Sequence, residues 1–338
     1  MLDKDGRYTP FKDNLPGDKW FLAFMKRNPR LSFRKPQGIG KERAVVTPAR
    51  IDRWFSDLES YLHELGATSI LQEGRRMFNS DESGFSLSGS SSNKVLAEKG
   101  SKIVPEVRNT DKSQITVLAT ANAAGEYLPP MFIVPGKSIE AYGHYTANSP
   151  AGALFSATES GWMDSISFFL FVANLFDKEV TKRNIPRPVL LLVDGHATHQ
   201  SMEVSEFCKD HSIIMYRLPA HATHLLQPCD VSIFRALKAE WNLAERAYRI
   251  DHPGSFVTKT QFAGVFRHAW QKILSKPSIA INGFRAAGLF PFTKEYRTAH
   301  LLPSTIFEWS SPAAPSTTSC ASCPSTSSGV SGSYPMLI

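Results

Sequence analysis

Residues 189–193 read Val-Leu-Leu-Leu-Val and run straight into Asp194-Gly195. Five consecutive apolar residues suit a strand covered on both faces, since a strand with one wet face would alternate. Such a strand sits inside a sheet with helices on either side, so the chain is constrained to an α/β layering. The carboxyl end of a central strand opens into the crevice where α/β sheets hold ligands, and Asp194 stands there. An Asp-Gly turn is the plain alternative for the same two residues.

The flanking pattern supplies the other layers. Met77–Ser83 reads as the first strand, followed by a Ser/Gly loop at 88–92 that reads as a turn. Ile115–Ala121 and Leu128–Val134 form a hairpin pattern through Ala123-Ala124-Gly125-Glu126, and Ser212–Leu218 reads as a further strand. Trp162–Val180 is an apolar helix pattern, and another helix runs from Pro228 to about Ile250. Upstream, Thr47 can cap a helix with Pro48 in its first turn, along which Ile51, Trp54, Phe55, Leu58, Leu62 and Leu65 recur at helical spacing. The expected order is three strands, helix, strand, helix, strand, helix. No internal repeat is visible.

The 338 residues, 42% of them hydrophobic, suffice for one large domain with a smaller appendage. The pattern divides into 1–48, basic and broken by Pro and Gly; 49–74, a linker helix; 75–300, the α/β domain; and 301–338. The last segment is Ser, Thr, Pro and Gly with almost no charge, and cannot bury enough apolar surface to offset its ordering entropy, so disorder is expected.

Charge narrows the partners. The first 50 residues hold twelve Lys or Arg against five Asp or Glu, and so carry a surplus equal to the whole chain's net +7. A block of that sign suits a polyanion, because neutralising phosphates releases counterions. A solvated basic face is the plain alternative. Four cysteines make no disulfide framework for this length, which points to a reducing compartment. Cys320-Ala-Ser-Cys323 is a lone CxxC without a second ligand pair, so zinc is not expected there. No stretch approaches the roughly eighteen apolar residues of a membrane span.

Three aspartates stand out. Asp81 lies in Phe78-Asn79-Ser80-Asp81-Glu82-Ser83-Gly84-Phe85, at or near the end of the first strand. Asp194 ends the most apolar strand. Asp230 opens a helix after Gln227-Pro228-Cys229, where a simple cap is the plain reading. Phe234, Leu237 and Trp241 follow it at helical spacing, which places Asp230 on the face expected to point at the sheet. An acid aimed at a core is costly unless it is paired, hydrogen-bonded or metal-bound.

Asp81-Glu82-Ser83-Gly84-Phe85, Val193-Asp194-Gly195-His196-Ala197-Thr198-His199, Leu218-Pro219-Ala220-His221 and Leu225-Leu226-Gln227-Pro228-Cys229-Asp230-Val231 resemble the signature blocks of pogo/Tigger/jerky-type transposases. The 35 residues between Asp194 and Asp230 are close to the family's spacing of its second and third acids. Gly283-Phe284-Arg285-Ala286-Ala287-Gly288-Leu289-Phe290-Pro291 resembles the segment that closes such domains. Trp20, Phe24, Arg27-Asn28-Pro29, Leu31-Ser32 and Arg43-Ala44 resemble the latter part of a centromere-protein-B-type helix-turn-helix.

The resemblance implies a ribonuclease-H-like mixed sheet flanked by helices, with a small all-α DNA-binding remnant in front. It implies a DDE endonuclease in which Asp81, Asp194 and Asp230 are catalytic and hold Mg²⁺ or Mn²⁺. Carboxylates offer the hard oxygen donors these ions prefer. Two ions about 3.5–4 Å apart can serve an in-line displacement without a protein nucleophile. On this reading Glu82 is a weaker candidate, since neighbouring strand residues point to opposite faces. His196, His199, His221 and His224 form two HxxH pairs better suited to hydrogen bonding than to Mg²⁺. Lys26, Arg27, Arg30, Arg34, Lys35, Lys41 and Arg43 are the expected DNA contacts.

DNA is the implied partner, which admits a homodimer on DNA and implies the nucleus as the location. Relatives carry two helix-turn-helix units where this sequence matches the latter part of one. Two functional readings follow: metal-dependent DNA cleavage and strand transfer, or a domesticated or degenerate DNA-binding protein that does not cut.

Overall fold

The structure, a computed structural model, describes residues 11, 16–33, 46–87, 98–100, 113–137, 145–195 and 201–293. The chain forms two compact units, Met1–Lys41 and 42–338. In the first, the described helix is α1, Asp18–Arg27, with Trp20 stacked on Phe24 at 5.2 Å and no residue buried. Asn28 ends it, its Nδ2 donating to the Phe24 carbonyl at 2.8 Å. Lys26, Arg27 and Arg30 are exposed, while Arg34, Lys35, Lys41 and Arg43 lie outside the described residues.

The second unit opens with α2, Pro48–Glu64. Thr47 caps it as its sequence suggests, accepting the Arg50 amide at 3.3 Å. Six strands follow: β1 (Met77–Ser86), β2 (Gln114–Asn122), β3 (Met131–Pro135), β4 (Leu154–Thr158), β5 (Val189–Val193) and β6 (Ile213–Arg217). They form one mixed sheet in the order β4-β3-β2-β1-β5-β6. β1, β2 and β3 run antiparallel to one another, and β5 and β6 continue parallel to β1. Three antiparallel strands extended by parallel ones are the ribonuclease-H-like arrangement, with β4 added parallel to β3 at the edge.

Helices cover both faces. α3 (Ser165–Phe171) and α4 (Asp177–Lys182) are joined without a break by a π turn, Val172–Phe176. α5 (Met202–Asp210) precedes β6, and the short α6 (Thr223–Leu226) follows it. A second π turn, Cys229–Ile233, leads into α7, Phe234–Asp251. α8 (Lys259–Leu274) and α9 (Pro277–Ala286) complete the domain.

β5 shows why its sequence is uniformly apolar. Leu190 and Leu192 pack with Ile51, Phe55 and Leu58 of α2, while Val189, Leu191 and Val193 pack with Phe168, Phe176 and Val204 on the opposite face. The α2 stripe is therefore spent on the sheet. Trp54 adds a bond from its Nε1 to the Arg217 carbonyl at 2.7 Å, fastening α2 to the end of β6. Phe234, Leu237 and Trp241 of α7 join Phe262, Phe266 and Trp270 of α8 against Val117 and Phe132. Burying such side chains contributes about 1.5–3 kcal/mol each.

Several boundaries differ from the sequence expectation. β1 runs three residues beyond Ser83, so Asp81 lies within it. β4 carries no strand signal in Leu-Phe-Ser-Ala-Thr, a short edge strand whose fully buried positions, Ser156 and Thr158, are polar. The 88–92 loop and 301–338 lie outside the described residues.

Candidate functional site

β1 is unusually polar for a strand this deep. Asn79, Ser80, Asp81 and Ser83 are all buried, and such groups are costly unless hydrogen-bonded. Ser80 meets its register partner Thr120 hydroxyl to hydroxyl at 2.7 Å. Asn79 donates from Nδ2 to the Leu192 carbonyl and accepts the Cys229 amide on Oδ1, both at 3.0 Å.

Asp81 sits opposite Ala119, on the sheet face covered by the Cys229–Ile233 turn and α7. β5 pairs with β1 only from Met77 to Asn79, so β1 runs on past the end of its parallel ladder. Asp194 directly follows β5 and is half-buried beside that opening. This is the carboxyl-end crevice of a parallel strand pair.

Asp230 enters from the third element, and its position corrects one expectation. It is exposed, whereas Cys229, Ile233, Phe234, Leu237 and Trp241 are buried. The cause is the π turn. Its i→i+5 bonding shifts the helical phase, so Cys229 and Ile233 take the core positions and Asp230 stays at the rim. Cys229 fills the space beneath as a small buried thiol, with Sγ 3.7 Å from the Ala119 carbonyl. Burial pushes that thiol well above its ordinary range, and Asp81, Asp230 and Glu82 push it further, which disfavours the thiolate.

The electrostatics tie the three acids together. The Asp81 carboxyl is held well above the usual carboxylate range, first by burial, then by the charges of Asp230, Glu82 and Asp194. A hydrogen bond from the Glu82 backbone acts in the opposite direction. Elements far apart in sequence thus bring negative charge to one buried carboxylate. Among the described residues, no three His, Cys, Asp or Glu side chains form a group tight enough to hold a metal ion. Asp81, Asp194 and Asp230 share one electrostatic neighbourhood without closing into a coordination cage.

The acid set is therefore partly gathered, and its donor chemistry is all hard oxygen, which suits Mg²⁺ or Mn²⁺ rather than a softer ion. His221 is exposed in a left-handed turn (φ 64°) and His224 is half-buried in α6; His196 and His199 lie outside the described residues. Asn79 was not among the residues singled out by sequence. A polar side chain two positions before Asp81, in a strand walled by apolar neighbours, is the signal that marks it.

The model of the DDE superfamily endonuclease family matches residues 112–284, just over half of the 338. The chain belongs to the DDE superfamily endonucleases. The matched range of this DDE-family chain contains Asp194 and Asp230, while Asp81 lies upstream of it.

A protein of Cochliobolus lunatus named MFS-type transporter clz9 is 27% identical over 225 residues, covering 66% of this chain. The match takes in 24% of that relative, so the chain spans about a quarter of its length. No helix among the described residues is long and apolar enough to cross a membrane. Among solved structures, the Mos1 transposase paired-end complex with left transposon end is similar over 78% of this chain and 69% of its own, at 9% identity and a TM-score of 0.44. The Mos1 mariner paired end complex with Mn covers 82% of this chain and 83% of its own, at 12% identity and a TM-score of 0.42.

Proposed function

We propose that this DDE-family chain is a transposase-type enzyme that cuts DNA and transfers strands with Mg²⁺ or Mn²⁺ held by Asp81, Asp194 and Asp230. The observation that carries this reading is the charge crowding on Asp81. A buried carboxylate surrounded by further carboxylates is a costly arrangement, and a divalent cation relieves it. Asp81 and Asp194 are assigned as shared ligands at the crevice, and Asp230 as the rim ligand that completes the set. Bound ions would supply positive charge for an in-line displacement at phosphorus. Water would form the new bond to phosphorus as the bond to the 3′-oxygen breaks, leaving a 3′-hydroxyl and a 5′-phosphate. That 3′-hydroxyl can attack a second DNA strand in the same way. No side chain needs to act as nucleophile.

The basic segment, with Lys26, Arg27, Arg30, Arg34, Lys35, Lys41 and Arg43, is assigned to phosphate contacts, which give affinity without sequence choice. Action on DNA places the protein in the nucleus, with a homodimer on DNA as the assembly that would pair two ends. The kinship proposed within the DDE superfamily is with the pogo/Tigger/jerky group.

A second reading, a DNA-binding relative that does not cut, is favoured by one observation: the acids do not form a closed metal-holding group among the described residues. Nicking of supercoiled plasmid in Mn²⁺ separates the two. The proposal expects nicking by the wild-type chain and at least a hundredfold loss in Asp194→Ala. Equal activity in both proteins, or DNA retention without nicking in either, would sink it.

A further inference from the structure

We infer that Asn79 is a positioning residue that sets the three acid-bearing segments against one another. The inference rests on the metal-site reading of Asp81, Asp194 and Asp230 and adds to it a residue that touches none of the reacting atoms. Asn79 is wholly buried in β1, two residues before Asp81 and therefore on the same face of the strand. Its Nδ2 donates to the carbonyl of Leu192, two residues before Asp194. Its Oδ1 accepts the amide of Cys229, one residue before Asp230. One planar amide thus binds the backbone beside each of the other two acids, while its own backbone carries the first.

The chemistry explains why an asparagine stands there. The site requires one donor and one acceptor in fixed relation, which a carboxamide provides and an apolar residue does not. The Cys229 amide lies at the start of a helical segment, where amides lack intrahelical acceptors, so a side-chain oxygen satisfies it. The Leu192 carbonyl lies where the β1–β5 ladder stops, since pairing ends at Asn79↔Leu192. Beyond that point the two strands carrying Asp81 and Asp194 share no further ladder pair. The Asn79 side chain is thus the tie at the root of the crevice. Ser80, its buried neighbour, bonds instead to Thr120 on a strand that carries no acid.

The test compares Asn79→Ala with Ser167→Ala. The second variant removes a buried hydroxyl pair, Ser156 to Ser167 at 2.7 Å, at the edge strand β4 rather than in the interior strand β1. Three readouts are needed: thermal unfolding, Mn²⁺ affinity by electron paramagnetic resonance titration, and kcat and KM for DNA nicking. Both variants should lose Tm. Asn79→Ala alone should weaken Mn²⁺ binding about 10–100-fold, as loss of a group orienting metal ligands does. Its kcat should fall on the order of a hundredfold with KM for DNA unchanged, the signature of misplacement rather than lost substrate binding. Should Asn79→Ala fail to fold, Asn79→Ser, whose single hydroxyl serves both partners poorly, is expected to show the same two losses. A folded Asn79 variant with lowered Tm but wild-type Mn²⁺ affinity and kcat makes Asn79 a structural staple and overturns the assignment. Wild-type chain that binds no Mn²⁺ overturns the metal-site reading itself, and the assignment with it.

Discussion

Asp230 acts on Asp81 across two elements: after burial, its charge is the largest influence raising the proton affinity of the Asp81 carboxyl. The charged form of Asp81 is thus disfavoured where β1 meets the Cys229–Ile233 turn, in a site set between apolar clusters on the two sheet faces. An arrangement that costs stability locally is the usual mark of a functional site.

The first prediction follows from that cost. With its folded pKa raised above 3.8, Asp81 binds a proton more tightly in the native chain than in the unfolded one. Stability is therefore favoured at low pH and falls as pH rises through the folded pKa. Asp81→Asn removes the penalty. Without divalent metal at pH 7 its Tm should exceed that of the wild type by a few degrees, and the difference should close as the pH is lowered toward 4. Calorimetric scans across this range check it, and a Tm at or below the wild type at pH 7 counts against the charge crowding.

Gly283 of α9 lies against the turn that carries Asp230. A Cβ placed there would stand 3.0 Å from the Pro228 carbonyl oxygen and 3.2 Å from the Ser232 side chain. Ser232 Oγ also bonds the Ile279 carbonyl at 2.8 Å, so α9 and the turn are held close. Gly283→Val should cost about 1–3 kcal/mol by overpacking. It should also weaken Mn²⁺ binding through the displaced Asp230. A variant with full stability and affinity would show that the turn has slack.

Much of this architecture was legible in the sequence, for identifiable reasons. The Val189–Val193 run announced a doubly covered strand because burial on both faces leaves no polar position. Thr47 and the α2 stripe gave a helix with a known inner face. Leu154–Thr158 escaped because its buried positions, Ser156 and Thr158, are polar, so the strand shows no apolar alternation. The exposure of Asp230 escaped because a π turn changes the helical phase, and nothing in Cys-Asp-Val-Ser-Ile signals i→i+5 bonding. The three acids were findable from their motif blocks, but Asn79 was not. Its polarity two positions before Asp81 marks it as unusual, but its importance comes from two backbone partners on distant segments, which that local signal does not name.

The basic segment yields a separate expectation. Lys26, Arg27 and Arg30 are exposed at and just beyond the end of α1. If they contact phosphates, the triple alanine variant should bind duplex DNA more weakly for every sequence tested. The slope of log affinity against log salt should flatten by about 0.9 per lost contact. Fluorescence anisotropy at several salt concentrations measures both quantities. An unchanged slope would remove these three residues from the DNA interface.

Asp81, Asp194 and Asp230 are proposed to hold a divalent ion together. Calorimetric titration of Mn²⁺ into the wild-type chain, Asp194→Ala and Asp230→Ala measures that binding. Saturable binding is expected in the wild type and should be lost or weakened at least tenfold in each variant, with folding intact by circular dichroism. No binding in the wild type, with DNA present or absent, or equal binding in all three proteins, would contradict it.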